Sequence, residues 1–176
     1  MQILIDMDGP LTQFHQGALQ ALNALELWKD WPKGQYQIEE YLGIPIKEFW
    51  DTIEKIQNFW FNLQPQPWFK QLIDLLEQYG DFIVCTCPST APTCPTQKIE
   101  WMRKHIQSNF NNYMIGGKKY LMAGNGILID DFEVNIESFV KAGGQAILFP
   151  MITNKNWKFA HDPIDYLRVR LNNLCL

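Results

Sequence analysis

Short apolar runs alternate along this chain with stretches in which apolar residues recur every three or four positions. Residues 3–6, 82–86, 113–115, 127–129 and 146–149 read as strands: each is short, continuously apolar and bounded by polar residues or glycine. That is the signature of strands covered on both faces, rather than of strands with one wet side. Helical periodicity occupies 68–79, 96–110 and 133–141, and 162–174 reads as a closing helix. Strands alternating with helices predict an α/β fold, a Rossmann-like parallel sheet of about five strands flanked by helices. One interval breaks the rhythm. Between residues 15 and 66 no strand pattern occurs, while 17–27 and 46–61 carry helical periodicity. A strand-to-strand connection is normally far shorter. The pattern therefore predicts a small helical cap, residues 16–65, inserted after the first strand into a discontinuous core of 1–15 and 66–176. Pro65-Gln66-Pro67 suits the re-entry point, because proline ends helices and favours extended chain.

Composition narrows the class. At 176 residues, 47% of them hydrophobic, the chain carries ample material for a packed core. A net charge of −4 and a pI near 5.3 argue against a nucleic-acid polymer as partner, which calls for a basic surface. No apolar run approaches the roughly 18 residues of a membrane span, and the N-terminus has no basic start followed by a long apolar stretch. The expectation is a soluble, cytoplasmic protein without a membrane partner. Cys85, Cys87, Cys94 and Cys175 form no C-x-x-C pair, and His15, His105 and His161 are scattered. Zinc wants closely paired ligands, so four reduced thiols are expected instead.

The candidate chemistry sits at two strand ends. Asp6-Met7-Asp8-Gly9 closes the first strand, and residues two apart on a strand face the same side. Asp130-Asp131 closes the fourth. Ligands of open parallel sheets bind at the carboxyl edge, near the reversal of strand order. With the two strands as neighbours, three or four carboxylates converge there and repel one another unless a hard cation such as Mg²⁺ joins them. An isolated Asp-Gly is an ordinary solvated turn. Two acidic strand ends, separated by an insert and by a strand ending in Thr86, form a more specific pattern. Setting these four acids aside leaves 15 acids against 15 Lys plus Arg, so the net charge equals one proposed metal site.

The ordered set Asp6-x-Asp8, Thr86, Lys118-Lys119 and Asp130-Asp131 resembles the four motifs of the haloacid dehalogenase (HAD) superfamily of phosphatases. More narrowly, Asp6-Met7-Asp8-Gly9, Phe59-Trp60-Phe61-Asn62-Leu63-Gln64-Pro65 and Ile83-Val84-Cys85-Thr86-Cys87-Pro88 resemble the 5′(3′)-deoxyribonucleotidases. Lys98-Ile99-Glu100-Trp101 and Ile127-Leu128-Ile129-Asp130-Asp131 extend the match, which covers residues 1 to about 150. The resemblance implies a Mg²⁺-dependent phosphomonoester hydrolase that converts (deoxy)nucleoside monophosphates to nucleoside and phosphate through an aspartyl-phosphate. It makes Asp6 the nucleophile and Asp8 the acid and base. Thr86 and the backbone N–H of Cys87 become donors to the phosphoryl oxygens, and Lys119, favoured over Lys118, the neutralising cation. Mg²⁺ would rest on Asp6, Asp130, Asp131 and the backbone carbonyl of Asp8. Aromatic side chains surround the base in such enzymes, which singles out Phe14 and Trp60, then Trp50. Lys98 is a candidate phosphate contact, though a surface helix charge is the plainer reading. A homodimer is an expectation of the resemblance alone.

Two rivals are a HAD phosphatase of a sugar phosphate or other small phosphomonoester, and a catalytically inactive nucleotide-binding or regulatory protein. Pro10 and Phe132 stand where these relatives usually carry an apolar residue such as Val and a polar one such as Arg. Neither substitution removes a residue with a direct chemical role; both bear on substrate preference.

Overall fold

The structure, a computed structural model, describes residues 2–175 apart from the side chains of Asn125 and Cys175, so the Cys175 thiol lies outside the described residues. Strand β1 (Gln2–Ile5) takes the centre of a five-stranded, wholly parallel sheet. On one side lie β2 (Phe82–Thr86) and then β3 (Tyr113–Ile115); on the other lie β4 (Gly126–Asp130) and then β5 (Gln145–Leu148). The expected α/β sheet is thus observed, with order β3-β2-β1-β4-β5. The register sets the site. Ile5 lies level with Val84 of β2 and Ile129 of β4, so Asp6, Thr86 and Asp130 reach the same carboxyl edge. Strand order reverses at β1, which makes that edge the binding crevice of the fold.

Why these runs are continuously apolar follows from their surroundings. Ile3, Ile5, Val84, Ile127 and Ile129 join one apolar cluster with Leu72, Leu75, Trp101, Leu167 and Leu171, whereas Leu4, Cys85 and Leu128 join a second with Ala123 and Phe139. The three central strands β1, β2 and β4 alternate between two dry faces, so their interior positions do not tolerate a polar residue. The covering helices are α5 (Phe69–Glu77), α6 (Cys94–His105), α7 (Glu133–Lys141) and α8 (Pro163–Cys175). Helix α6 starts earlier than the periodicity predicts, with Pro95 in its first turn, where a missing N–H costs nothing. It stops at His105, well before residue 110. Arg103, Lys104 and His105 complement the dipole of its last turn, and the turn-forming run Ser108-Asn109-Phe110-Asn111-Asn112 follows.

Between β1 and β2 the chain forms α1 (Phe14–Ala21), a 3₁₀ stretch over Leu25–Asp30, α2 (Ile38–Leu42), α3 (Ile46–Lys55) and α4 (Phe59–Asn62), with no strand. Each long helical pattern expected here is broken by an asparagine in the left-handed region, Asn23 at φ 54° and Asn58 at φ 56°. Asparagine tolerates that conformation better than most residues, so the helical period survives while the helix does not. The outgoing and returning segments are clasped together. Gln13 N donates to Gln64 O at 2.8 Å and Gln66 N to Leu11 O at 2.9 Å. The buried Gln66 side chain donates to the carbonyls of Gly9 and Thr12 at 2.7 and 3.0 Å.

Candidate active site

Four acidic side chains and two lysines meet at the carboxyl edge. Asp6, directly after β1, is buried and accepts from Met7 N at 2.8 Å. Lys119 bridges Asp6 Oδ1 at 2.7 Å and Asp130 Oδ2 at 2.6 Å. Asp130, the last residue of β4, also accepts from Phe132 N at 2.9 Å and Asn135 Nδ2 at 3.0 Å. Of the lysine pair, Lys119 is buried in the site and Lys118 is exposed.

Asp131 differs from its neighbour. It is completely buried, and neither carboxylate oxygen has a hydrogen-bond partner. Oxygens of Asp6, Asp130 and Asp131 lie within 4.8 Å of one another. A dry, unpaired carboxylate is costly unless a cation or proton completes it. The set therefore fits a hard divalent cation, for which all-oxygen ligation is the normal choice. Gly9 makes room: at φ 111° it occupies backbone that favours glycine, and a Cβ there would collide with the Asp131 carboxylate.

The electrostatics follow from burial. Desolvation pushes the Asp6 carboxyl up to about 7; Lys119 opposes the rise, and Asp130 and Asp8 add to it. Burial, then Asp130 and Asp6, hold Asp131 well above the usual carboxylate range. For Lys119 burial works against the charge, but the Asp6 and Asp130 carboxylates outweigh it and keep the ammonium protonated. Burial raises Cys85 to about 11 and also raises Cys87, so neither offers a thiolate nucleophile at neutral pH.

Asp8 stands apart from the three clustered carboxylates. Its side chain is partly exposed, is ion-paired with Lys98, and accepts from the Thr12 hydroxyl at 3.4 Å. Lys98 corrects the sequence reading: it is no surface charge but is fully buried in α6. Its ammonium also donates to Thr86 Oγ1 and to the Cys87 carbonyl, both at 2.8 Å. Helical periodicity missed this because a lysine among apolar positions reads as the edge of a polar face, and its acceptors come from two other segments. Thr86 is likewise completely buried. Cys87, rather than Thr86, reaches the cavity above.

That cavity, about 430 Å³, has Asp6, Asp8 and Lys119 on its floor and Phe14, Tyr36, Trp50, Trp60 and Phe132 in its wall. Residues 87–90 and Asn135 complete the lining. Phe14 and Trp50 pack at 6.3 Å between ring centroids, and Tyr36 stacks on Phe132 at 4.4 Å and 24°. Phe132 thus joins the core to the insert through an aromatic contact. Pro10 contributes its carbonyl, which accepts from Trp68 Nε1 at 3.0 Å. Trp60 lines the cavity but is only 2% exposed, and its backbone N–H is held by Gln97 Oε1 at 3.1 Å. Trp50 is half-buried and closer in character to a contact surface. Tyr36 and Asn135 were not foreseen; both lie in segments with no distinguishing local pattern. Two cavities of about 500 and 540 Å³ lie elsewhere, one lined by glutamines such as Gln13 and Gln20, the other by Glu77, Asp81 and residues 106–107 and 109–112. Neither brings carboxylates and lysines together.

A parallel sheet with this carboxylate–lysine edge defines the class as a haloacid dehalogenase-type core. Residues 1–162 match the family model described as 5′ nucleotidase, deoxy (pyrimidine), cytosolic type C protein (NT5C), and the chain belongs to that family. It is 29% identical to the mitochondrial 5′(3′)-deoxyribonucleotidase of Mus musculus, over 74% of this chain and 64% of the relative. To the Homo sapiens mitochondrial 5′(3′)-deoxyribonucleotidase it is 27% identical, over 74% of this chain and 62% of the relative. The match therefore spans less than two thirds of the length of these curated relatives. Among solved structures, a HAD family hydrolase from Deinococcus radiodurans R1 shares the fold with a TM-score of 0.52 at 11% identity, over 82% of this chain and 78% of that one. Among the described residues no helix is long and apolar enough to cross a membrane.

Proposed function

We propose that this chain is a Mg²⁺-dependent phosphomonoester hydrolase of the 5′(3′)-deoxyribonucleotidase type, acting on (deoxy)nucleoside monophosphates. The observation that carries the reading is the buried, unpartnered Asp131 carboxylate beside Asp6 and Asp130, beneath an aromatic-walled cavity. A divalent cation on Asp6, Asp130, Asp131 and the Asp8 backbone carbonyl supplies, when bound, positive charge that offsets repulsion between nucleophile and phosphate.

The chain's own residues do the rest. Asp6 attacks phosphorus through a carboxylate oxygen, the ester P–O bond breaks, and the nucleoside oxygen leaves with a proton from Asp8. Water then attacks the aspartyl-phosphate, Asp8 takes its proton, and phosphate and Asp6 are released. Lys119 favours the ionised form of Asp6 and follows the charge as it moves onto the phosphoryl oxygens. The Cys87 N–H is the proposed phosphoryl donor, since Cys87 lines the cavity while Thr86 lies buried outside its lining. Phe14 and Trp50 offer ring faces to a nucleobase and the more deeply buried Trp60 lines the same cavity, with residues 16–65 acting as the cap that brings them over the site. The test is phosphate release from 5′- and 3′-nucleoside monophosphates and sugar phosphates, with and without Mg²⁺. Mg²⁺-dependent preference for deoxyribonucleotides is expected. Preference for sugar phosphates overturns the substrate assignment, and no turnover of any ester overturns the enzyme.

A further inference from the structure

An ammonium group has three N–H donors and no acceptor. In Lys98 all three are matched: the Asp8 carboxylate, the Thr86 hydroxyl at 2.8 Å and the Cys87 carbonyl at 2.8 Å. No part of the residue is exposed, so no donor remains for a phosphoryl oxygen. The three acceptors come from two separate strand ends, one after β1 and one at and after β2. Because the Thr86 oxygen accepts from Lys98, its own hydrogen is directed to a different acceptor.

We propose that Lys98 is a positioning residue: a buried tripod that fixes the Asp8 carboxylate and the Thr86 hydroxyl on one frame, and not a ligand of the phosphate. The proposal rests on the reading of Asp8 as the acid that protonates the leaving oxygen. Fixing a proton donor matters most where the leaving group is a poor one. A nucleoside alkoxide needs a proton to depart, whereas the anions released from 4-nitrophenyl phosphate and acetyl phosphate leave without one. A phosphate ligand would behave differently, because its loss weakens binding of every ester and of phosphate itself.

Lys98→Met in the Mg²⁺-loaded full chain is the test, with kcat/KM measured on a deoxyribonucleoside 5′-monophosphate and on the two activated phosphates. The expected loss is about 10²-fold on the nucleotide and under about 10-fold on the activated esters, within the range of a misplaced general acid. Calorimetric titration with inorganic phosphate should give an affinity within about threefold of wild type, against losses of about tenfold or more when a charged contact is removed. Equal losses on all esters, or phosphate affinity falling in step with turnover, overturns the proposal. Lys98→Gln, which keeps a neutral donor in the same space, should show the same selectivity to a smaller degree. If both variants melt below the assay temperature, Lys98 holds the fold rather than the reaction, and the proposal falls. Wild-type protein inert on all these esters brings down the hydrolase reading as a whole; a wild type that turns over beside an unselective variant brings down only the role of Lys98.

Discussion

On the cavity floor, Lys119 bridges Asp6 and Asp130 at 2.7 and 2.6 Å, and outside the cavity lining the buried Asp131 carboxylate has no hydrogen-bond partner. The wall of the same cavity is built of rings from α1, α3, α4, the loop before α2 and the residue before α7, with Phe14 tilted against Trp50 and Tyr36 stacked on Phe132. Floor groups are fixed by charge: each needs a particular partner at hydrogen-bond distance, and no neighbour can substitute. The wall is fixed by area, and its rings share the load with core residues such as Phe49 and Phe59. A floor substitution should therefore alter chemistry with the fold preserved, whereas a wall substitution should alter stability or binding in proportion to how deeply its ring is buried.

The largest effect is expected at Asp6. Asp6→Asn keeps the shape and removes the proposed nucleophile, so turnover should fall by about 10³-fold or more. Circular dichroism and the melting curve should stay close to wild type, since relief from burial and from repulsion by Asp130 offsets the lost ion pair with Lys119. Wild-type rates in Asp6→Asn would remove Asp6 as nucleophile and dissolve the contrast between floor and wall.

Next comes Trp60, the wall ring most deeply embedded. At 2% exposure it behaves as core, and Trp60→Ala should cost about 3–5 kcal/mol of stability. For a chain of this size that lowers Tm by roughly 6–20 °C. Thermal unfolding measures it, and a Tm change under about 2 °C, together with a KM effect confined to nucleotides, would make Trp60 a contact surface instead.

The same division explains what could be read from the sequence. Asp6, Asp8, Asp130 and Asp131 stand out because two acidic strand ends place carboxylates at one sheet edge, whereas Lys119 was singled out only by the family resemblance. The five strands were equally legible, since continuous apolar runs bounded by Gly and Asp have few alternative readings. The aromatic insert was not. Asn23 and Asn58 break its helices without disturbing the hydrophobic period, and α2 is too short to show one. Tyr36 reaches the wall only because the loop preceding α2 folds back onto Phe132, a pairing across 96 positions that no local pattern encodes. Lys98 was visible as a residue, but its partners Asp8 and Thr86 are set by the packing of α6 beneath the sheet edge.

A smaller effect, of opposite sign, is expected at Asp131. Without metal the carboxylate is buried and unpaired, so Asp131→Asn should raise the metal-free Tm at pH 8 by about 2–8 °C. It should also abolish the Mg²⁺-induced rise seen in wild type. The pH dependence has a definite sign. Asp6 titrates near 7 in the folded chain against 3.8 as its ordinary value, and Asp131 is raised in the same direction. The metal-free fold therefore holds protons that the unfolded chain has released, and its stability should decline as pH rises from about 4 through about 7. Cation and protons compete for the same oxygens, so Mg²⁺ should raise Tm more at pH 7.5 than at pH 5. Scanning calorimetry at the two pH values decides it; an equal or larger Mg²⁺ effect at pH 5 would mean that the ion binds away from these carboxylates.

The smallest effect should come from Trp50, and it is the most direct test of the wall as a base-binding surface. Trp50 is half-buried on α3, faces the cavity and packs on Phe14 at 6.3 Å, so its truncation removes ring area from the ligand side at less structural cost than Trp60. Stacking of a base on one aromatic ring is worth about 1–3 kcal/mol, and a half-buried ring belongs at the lower end of that range. Trp50→Ala should raise KM for a deoxyribonucleoside monophosphate about fivefold, with kcat nearly unchanged, because stacking stabilises ground state and transition state alike. Acetyl phosphate, which has no base, supplies the control: its KM should not move. If both KM values rise together, Trp50 supports the shape of the cavity rather than its ligand, and the wall becomes scaffold throughout. If only the nucleotide value rises, the division of labour runs through the wall itself, with Trp60 holding the insert and Trp50 reading the base.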